Sequence, residues 1–74
     1  MAPEVWLYTN DGATFRTVQR RTEAGTEVLV FGSAGERAHE TFVTTADAAA
    51  FRLAVEARIL RNGFALARGP AGAP

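Results

Sequence analysis

The chain has 74 residues, contains no cysteine, and balances eight basic against eight acidic side chains to a net charge of zero. This length allows one domain with a modest core. The lack of cysteine excludes disulfides, thiolate metal sites and a cysteine nucleophile, and it fits a cytoplasmic protein. Zero net charge excludes an overall attraction to nucleic acid or anionic membranes. No apolar run approaches the roughly 20 residues that span a bilayer, and no secretion signal opens the sequence, so we expect a soluble protein without a membrane partner.

Four β-strands are predicted in the first part of the chain, because β-branched and aromatic residues recur there between turn signals. The predicted strands cover residues 4–9, 14–21, 26–32 and 37–43. The turns between them fall at residues 10–12, 23–25 and 33–36, each of which contains a glycine. Such short connections predict an antiparallel meander.

One long helix is predicted over residues 44–63, because both of its ends carry capping signals. Thr44 is a suitable N-cap, and Asp47 three residues later also suits the positive end of the helix dipole. At the other end, Asn62 and Gly63 tolerate the left-handed conformation that terminates helices, so Phe64 can fold back onto the last turn.

The predicted helix carries two apolar stripes. The stripe expected to bury against the sheet consists of Ala48, Phe51, Val55 and Ile59. The second consists of Ala49, Leu53, Ala57 and Leu60. It lies about 120° from the first, separated from it by Arg52 and Glu56. Because one small sheet cannot easily cover both stripes, the second is expected to contact another molecule.

Side-chain alternation divides the predicted strands between two sheet faces. With the turns at residues 10–12 and 23–25, one face carries Trp6, Tyr8, Arg16, Val18, Arg20, Val28 and Val30. The other carries Val5, Leu7, Phe15, Thr17, Gln19, Glu27, Leu29 and Phe31. We expect the bulkier Trp6 face to lie under the helix, which leaves Phe15 and Phe31 partly exposed. The register across the third turn stays open by one residue, and with it the face of His39, Phe42 and Val43.

These elements predict an α+β fold, in which a four-stranded antiparallel meander is packed by one long C-terminal helix. The domain is expected to cover residues 1–68. Residues 69–74 are expected to form a disordered tail, because they carry too little apolar surface to order themselves.

The segment from the third strand to the end of the helix resembles the WGR domain. The residues that carry the likeness are Phe31, Gly32, Gly35, Phe42, Ala48, Phe51, Gly63 and Phe64. The WGR signature is Trp-Gly-Arg-x-Gly, followed by a strand ending in Phe, a helix with Ala and Phe near its start, and Gly-Tyr. Phe31 stands in place of the signature Trp, and Ser33 in place of the signature Arg. The resemblance implies a small sheet-plus-helix module.

WGR domains occur in bacterial proteins and in poly(ADP-ribose) polymerases, where they contact DNA ends through the signature Trp and Arg. The resemblance therefore implies that Phe31 is a stacking surface for a base or ribose, without an arginine at position 33. Arginines elsewhere would have to neutralise phosphate. Because the face assignment sends Arg16 and Arg20 to the opposite side from Phe31, the candidates for this contact are Arg21 and Arg37.

No residue cluster in the sequence predicts catalysis or a bound cofactor. His39 is the only histidine and lacks the further donors that a metal site needs. Ser33 matches neither a nucleophile elbow nor a phosphate loop and is typical of a turn. Asp11 and Asp47 are explained by a turn and a helix cap. We therefore expect no catalytic residue, no metal and no cofactor.

Two functions from different classes remain. The first is a small non-catalytic interaction module, homodimeric or accessory to a larger protein, with an interface formed by Phe15, Phe31, Leu53, Ala57 and Leu60. The second is a nucleic-acid-binding module that uses Phe31 with Arg21 and Arg37. The net charge of zero favours the protein interface.

Overall fold

The computed structural model of the chain describes residues 2–71, which form one helix and one antiparallel sheet. The elements in chain order are β1 (Glu4–Asn10), β2 (Ala13–Thr22), β3 (Gly25–Gly32), β4 (Gly35–Phe42), α1 (Thr45–Arg61) and β5 (Ala65–Ala71). The strands lie in the order β4-β3-β2-β1-β5, and every pair is antiparallel. The predicted α+β class and the meander of the first four strands are confirmed.

The fifth strand is the main addition to the predicted architecture. After α1 the chain pairs with β1, so the sheet has five strands and the helix is not the last element. Phe64 directs this return, because its ring packs edge-on against the ring of Phe15 with 5.1 Å between centroids. β5 includes residues 69–71, which we expected in the tail, and the rest of that tail, residues 72–74, lies outside the described part of the chain.

The turns on either side of β2 are each one residue shorter than the sequence analysis assumes. Asn10 pairs with Ala13, which leaves Asp11 and Gly12 as a two-residue turn, and both of these have positive φ, 51° and 87°. This is the mirror-image turn that matches the twist of a hairpin. At the next turn Thr22 pairs with Gly25, which again leaves two residues between the strands.

These two turns reverse the predicted faces of β2. Phe15, Thr17 and Gln19 lie on the helix side with Trp6 and Tyr8, because a shift of one residue moves every side chain of a strand to the other face. Arg16, Val18 and Arg20 accordingly lie on the opposite side, with Leu29 and Phe31. The predicted faces of β2 were therefore wrong. Each of the two shorter turns shifts the pairing by one residue, and the two shifts cancel across β2. The side chains of β1 and β3 that were predicted to share a face therefore do share it.

The pairing of the fourth strand, whose register shifts only between Val30 and Phe31, settles the faces left open above. Thr26 pairs with Phe42 and Val28 with Glu40, so Phe42 lies on the helix side. His39 pairs with Leu29 and lies on the opposite side. Val43 follows the strand and is 90% exposed.

The helix begins and ends where its sequence predicts. The Thr44 side chain accepts a hydrogen bond from the Asp47 amide at 3.1 Å. At the other end, Gly63 has a φ of 93°, and the Phe64 amide donates to the Ile59 carbonyl at 3.4 Å. The chain is thereby turned back toward β1.

The predicted buried stripe faces the sheet, but it shares that side with two charged residues. Ala48 and Ile59 are buried, and Phe51 packs against Phe42 with 5.3 Å between ring centroids. Arg52 and Glu56, which the sequence analysis places between the two stripes, also point toward the sheet, and Glu56 is only 5% exposed.

A polar cluster therefore lies at the centre of the helix–sheet interface. The Glu56 carboxylate accepts a hydrogen bond from the Thr17 hydroxyl at 2.7 Å and pairs with the Arg52 guanidinium at 2.7 Å. Arg52 also donates to the Gln19 side chain at 2.9 Å and lies over the ring of Trp6, 3.8 Å from its centroid. Within residues 2–71, no buried side-chain nitrogen or oxygen lacks a partner. A buried ion pair of this kind is tolerated only when its hydrogen bonds are satisfied, as they are here.

Candidate binding surface on the open sheet face

The sheet face opposite α1 is the candidate functional surface, and we call it the open sheet face. In the described part of the chain the single helix packs on the other side, against β2, β3 and β4. The pairing of the strands brings together an apolar group and an ionisable group on this face. The apolar group is Val5, Leu7, Val18, Leu29 and Phe31, and the ionisable group is Arg16, Arg20, Glu27, Glu36 and His39.

An arginine stacked on an aromatic ring is the most distinctive feature of this face. Arg16 of β2 and Phe31 of β3 are directly paired across the two strands. The guanidinium carbon lies 4.5 Å from the centroid of the Phe31 ring. A cation over an aromatic face at an exposed site gains about 0.5–1 kcal/mol. The contact holds the guanidinium group against the ring, and the Arg16 side chain is exposed.

Beside this stack, three ionisable side chains form a ladder across β2, β3 and β4. Glu27 is paired with both neighbours, since Arg20 Nε lies 2.6 Å from one carboxylate oxygen and His39 Nε2 lies 2.7 Å from the other. The hydrogen bond from Arg20 first, and that from His39 second, hold the pKa of the Glu27 carboxyl below its usual range. The charge of Arg20 is therefore largely compensated, while Arg16 has no acidic partner within salt-bridge distance among residues 2–71.

The turn between β3 and β4 borders the stack. A shallow depression of about 250 Å³ lies there, with Leu7, Arg16 and Phe31 along it and Ser33 at its rim. The Ser33 hydroxyl accepts a hydrogen bond from the Thr14 amide at 2.9 Å. Ser33 therefore connects the turn between β3 and β4 to the beginning of β2, which agrees with its predicted role in a turn.

The structure separates the predicted nucleic-acid contacts. Phe31 lies on the open sheet face, as expected. Arg21 pairs with Thr26 on the helix side, and Arg37 lines a cavity there with Phe15 and Ile59. The expected trio of Phe31, Arg21 and Arg37 is thus not brought together.

The predicted protein interface is also divided. Phe15 lies on the helix side against Phe64 and not beside Phe31, so the expectation that these two phenylalanines share a face was wrong. Leu53, Ala57 and Leu60 are exposed on the outer side of α1, with Leu53 at 58% and Leu60 at 49%. They lie on the opposite side of the molecule from Phe31.

The sequence analysis missed the cluster of Arg16, Arg20, Glu27 and His39. The signal that could have found it is the dipeptide Asp11-Gly12, which is typical of a two-residue hairpin turn. A turn of that length places Arg16 and Arg20 on the face of Phe31 once the next turn is shortened in the same way.

Two further features of residues 2–71 bear on other functions. No three or more His, Cys, Asp and Glu side chains converge there in a way that could hold a metal ion. The helix in that range is neither long enough nor apolar enough to cross a membrane.

Comparison with known proteins found no matching family model, no matching curated protein and no matching solved structure. The function of the open sheet face is therefore inferred from its residues and their contacts.

Proposed function

We propose that the protein is a small non-catalytic binding module whose open sheet face contacts unpaired bases of single-stranded or terminal nucleic acid. The observation that carries this proposal is the stack of the exposed Arg16 on the partly exposed Phe31. It combines a flat cationic group with an aromatic ring on a sheet face that has no covering element among the described residues.

Stacking supplies the base contact. The outer side of the Arg16 guanidinium is a planar surface on which a base can continue the stack begun by Phe31. Leu7 and Val18 flank the pair and provide apolar contact for the edges of a base or ribose. Stacking of this kind contributes about 1–3 kcal/mol per base and tolerates every base, because each has a flat face. The surface is accordingly suited to unpaired nucleotides without strong sequence preference.

We expect the open sheet face to contact only a few phosphates of the nucleic acid. In the described part of the chain Arg16 has no acidic partner within salt-bridge distance, and Arg20 shares its charge with Glu27. The exposed Arg68 of β5 lies opposite Leu7. With two or three phosphate contacts, the logarithm of the binding constant should fall against the logarithm of salt with a slope of about −2. Binding should therefore be weak and only moderately sensitive to salt, in keeping with a net charge of zero.

The resemblance to WGR domains supports the same surface. Phe31 stands at the position of the signature Trp, and Arg16 from the neighbouring strand lies over its ring. The resemblance and the contact with Arg16 therefore both support Phe31 as the stacking residue.

Fluorescence anisotropy of a labelled single-stranded oligonucleotide tests the proposal. Arg16→Ala and Phe31→Ala should each weaken binding about tenfold, in line with the loss of one stacked group. Arg21→Ala is the matched control, because it removes the same charge from the helix side of the sheet. An equal loss in all three variants would mean unspecific attraction, and would overturn the proposal. A wild-type chain that binds no oligonucleotide would also overturn it, and would leave the open sheet face to a protein ligand.

A further inference from the structure

The side of α1 that faces away from the sheet is apolar over a wide sector, which we call the outer helix face. At about 100° per residue, five apolar residues lie within roughly 60° of Leu53. They are Ala46, Ala49, Ala50, Ala57 and Leu60. Glu56 lies at one edge of this sector, where it turns toward the sheet and is 5% exposed, whereas Leu53 and Leu60 are about half exposed. Leu53 and Leu60 therefore form an apolar surface on the outside of the helix.

We infer that the outer helix face binds a second copy of this chain, with the two helices antiparallel about a two-fold axis at Ala54. The size of its residues carries the first part of the argument. The N-terminal half of the face holds only alanine, at positions 46, 49 and 50, whereas Leu53 and Leu60 project from the middle and the C-terminal half. A parallel pair would place alanine against alanine and leave a gap.

An antiparallel pair removes that gap. The two-fold axis places Leu60 of one copy at the level of residue 48 of the other, where Ala46, Ala49 and Ala50 leave room for it. Each copy then supplies both the projecting side chain and the space that receives the other's. A self-complementary surface of this kind is what a two-fold dimer requires.

Charge complementarity selects the same arrangement. Asp47 and Arg61 flank the outer helix face on one side, at opposite ends of α1, and each is seven residues from Ala54. The two-fold axis therefore brings Asp47 of each copy opposite Arg61 of the other, with Arg58 one turn away. A parallel pair would instead place this flank of each copy on opposite edges of the interface, so that Asp47 and Arg61 would not meet. The antiparallel order also sets the two helix dipoles head to tail.

The expected dimer is weak. A helix of 17 residues is about 25 Å long, so a single helix pair buries an area at the lower end of specific interfaces, near 1,200 Å² in total. We expect dissociation in the micromolar range. The helices occupy the centre of such a dimer and the two open sheet faces point outward, so this dimer and the binding proposed above use different surfaces.

Sedimentation velocity over a series of protein concentrations, without nucleic acid, tests the inference. The wild-type mass should rise from monomer to dimer, and Leu60→Glu should remain monomeric. Asp47→Arg and Arg61→Asp should each weaken the dimer about tenfold, because the two-fold axis repeats every contact. The double variant Asp47→Arg with Arg61→Asp should recover the wild-type affinity.

Two controls keep the outcomes distinct. Arg21→Asp makes the same charge change as Arg61→Asp but lies on β2, so it should leave the dimer unchanged. Circular dichroism shows whether each variant folds. If Leu60→Glu does not fold, the dimer affinities of the single and double variants at Asp47 and Arg61 test the inference. A wild-type chain that stays monomeric at every concentration overturns the inference. A double variant as weak as the single variants overturns the antiparallel arrangement.

Discussion

The two faces of the sheet differ in how they use arginine. Under the helix, Arg52 is enclosed, and its guanidinium contacts Trp6, Gln19 and Glu56 at once. On the open sheet face, Arg16 contacts one ring and otherwise faces solvent. The same side chain on the same kind of aromatic surface thus stabilises the fold in one place and remains free to bind in the other. The difference is burial, because an enclosed charge must have all its partners and an exposed one does not.

The largest expected loss of stability follows from substitution of Glu56 on the helix-covered side of the sheet. Glu56→Ala leaves the Arg52 charge and the Thr17 hydroxyl buried without their acceptor, and it should cost about 3–5 kcal/mol of unfolding free energy. Urea denaturation followed by circular dichroism measures this loss. Glu36→Ala, at an exposed site in β4, is the control and should change stability by less than about 0.5 kcal/mol. A small loss at Glu56 would mean that the cluster does not hold the helix on the sheet.

A matched pair of phenylalanines compares the two faces directly. Phe15→Ala removes a ring packed against Phe64 beneath the end of the helix, and should cost about 3 kcal/mol. Phe31→Ala removes a ring from the open sheet face and should cost about 1 kcal/mol. Thermal unfolding of the two variants under one condition gives the difference. Equal losses would show that the open sheet face is as important to stability as the covered one.

Alkaline titration sharpens the comparison through Tyr8, the only tyrosine in the chain. Burial, and then the neighbouring Glu56 carboxylate, raise the pKa of the Tyr8 phenol well above its usual range. Because the pKa is higher in the folded state, this contribution to stability is complete below about pH 10 and is lost as the pH rises further. Tyrosinate absorbance should therefore appear only together with unfolding. Absorbance that rises near pH 10 while the fold persists would contradict the enclosed position of the ring.

The smallest effect is expected at Glu27 on the open sheet face. Arg20 and His39 lower the pKa of this carboxyl, so its contribution to stability is complete above the ordinary value of 4.5 and is lost as the pH falls through the lowered pKa. Glu27→Gln should remove this part of the acid sensitivity. Melting temperatures of both proteins on either side of that pH measure the difference. Parallel curves would show that the ladder adds nothing to the fold.

The helix was the most predictable part of the molecule, because its signals are local. Thr44 and Gly63 act within one turn of their own positions, and no distant residue decides whether they cap the helix. The strands around the central turns were also located correctly, since β-branched residues and glycines mark them.

The candidate site was harder to predict, because it depends on a count of residues between strands. One residue in the turn at Asp11 decides whether Arg16 shares a face with Tyr8, and one residue in the turn at Ala24 decides whether it joins Phe31. The polar cluster escaped prediction for another reason. Arg52 and Glu56 are ordinary surface residues on a helix, and only the Thr17 and Gln19 side chains of a correctly placed β2 make their burial favourable.

The pairing of β5 with β1 also settles where the two ends of the domain meet. Val5, near the start of β1, lies opposite Ala71 at the end of β5, so the chain enters and leaves at one corner of the sheet. Domains with adjacent ends can be inserted into a loop of a host protein without separating its flanking segments. The same proximity allows circular permutation: a short linker between these ends and a new opening at the exposed turn around Ala34 should preserve every strand pairing.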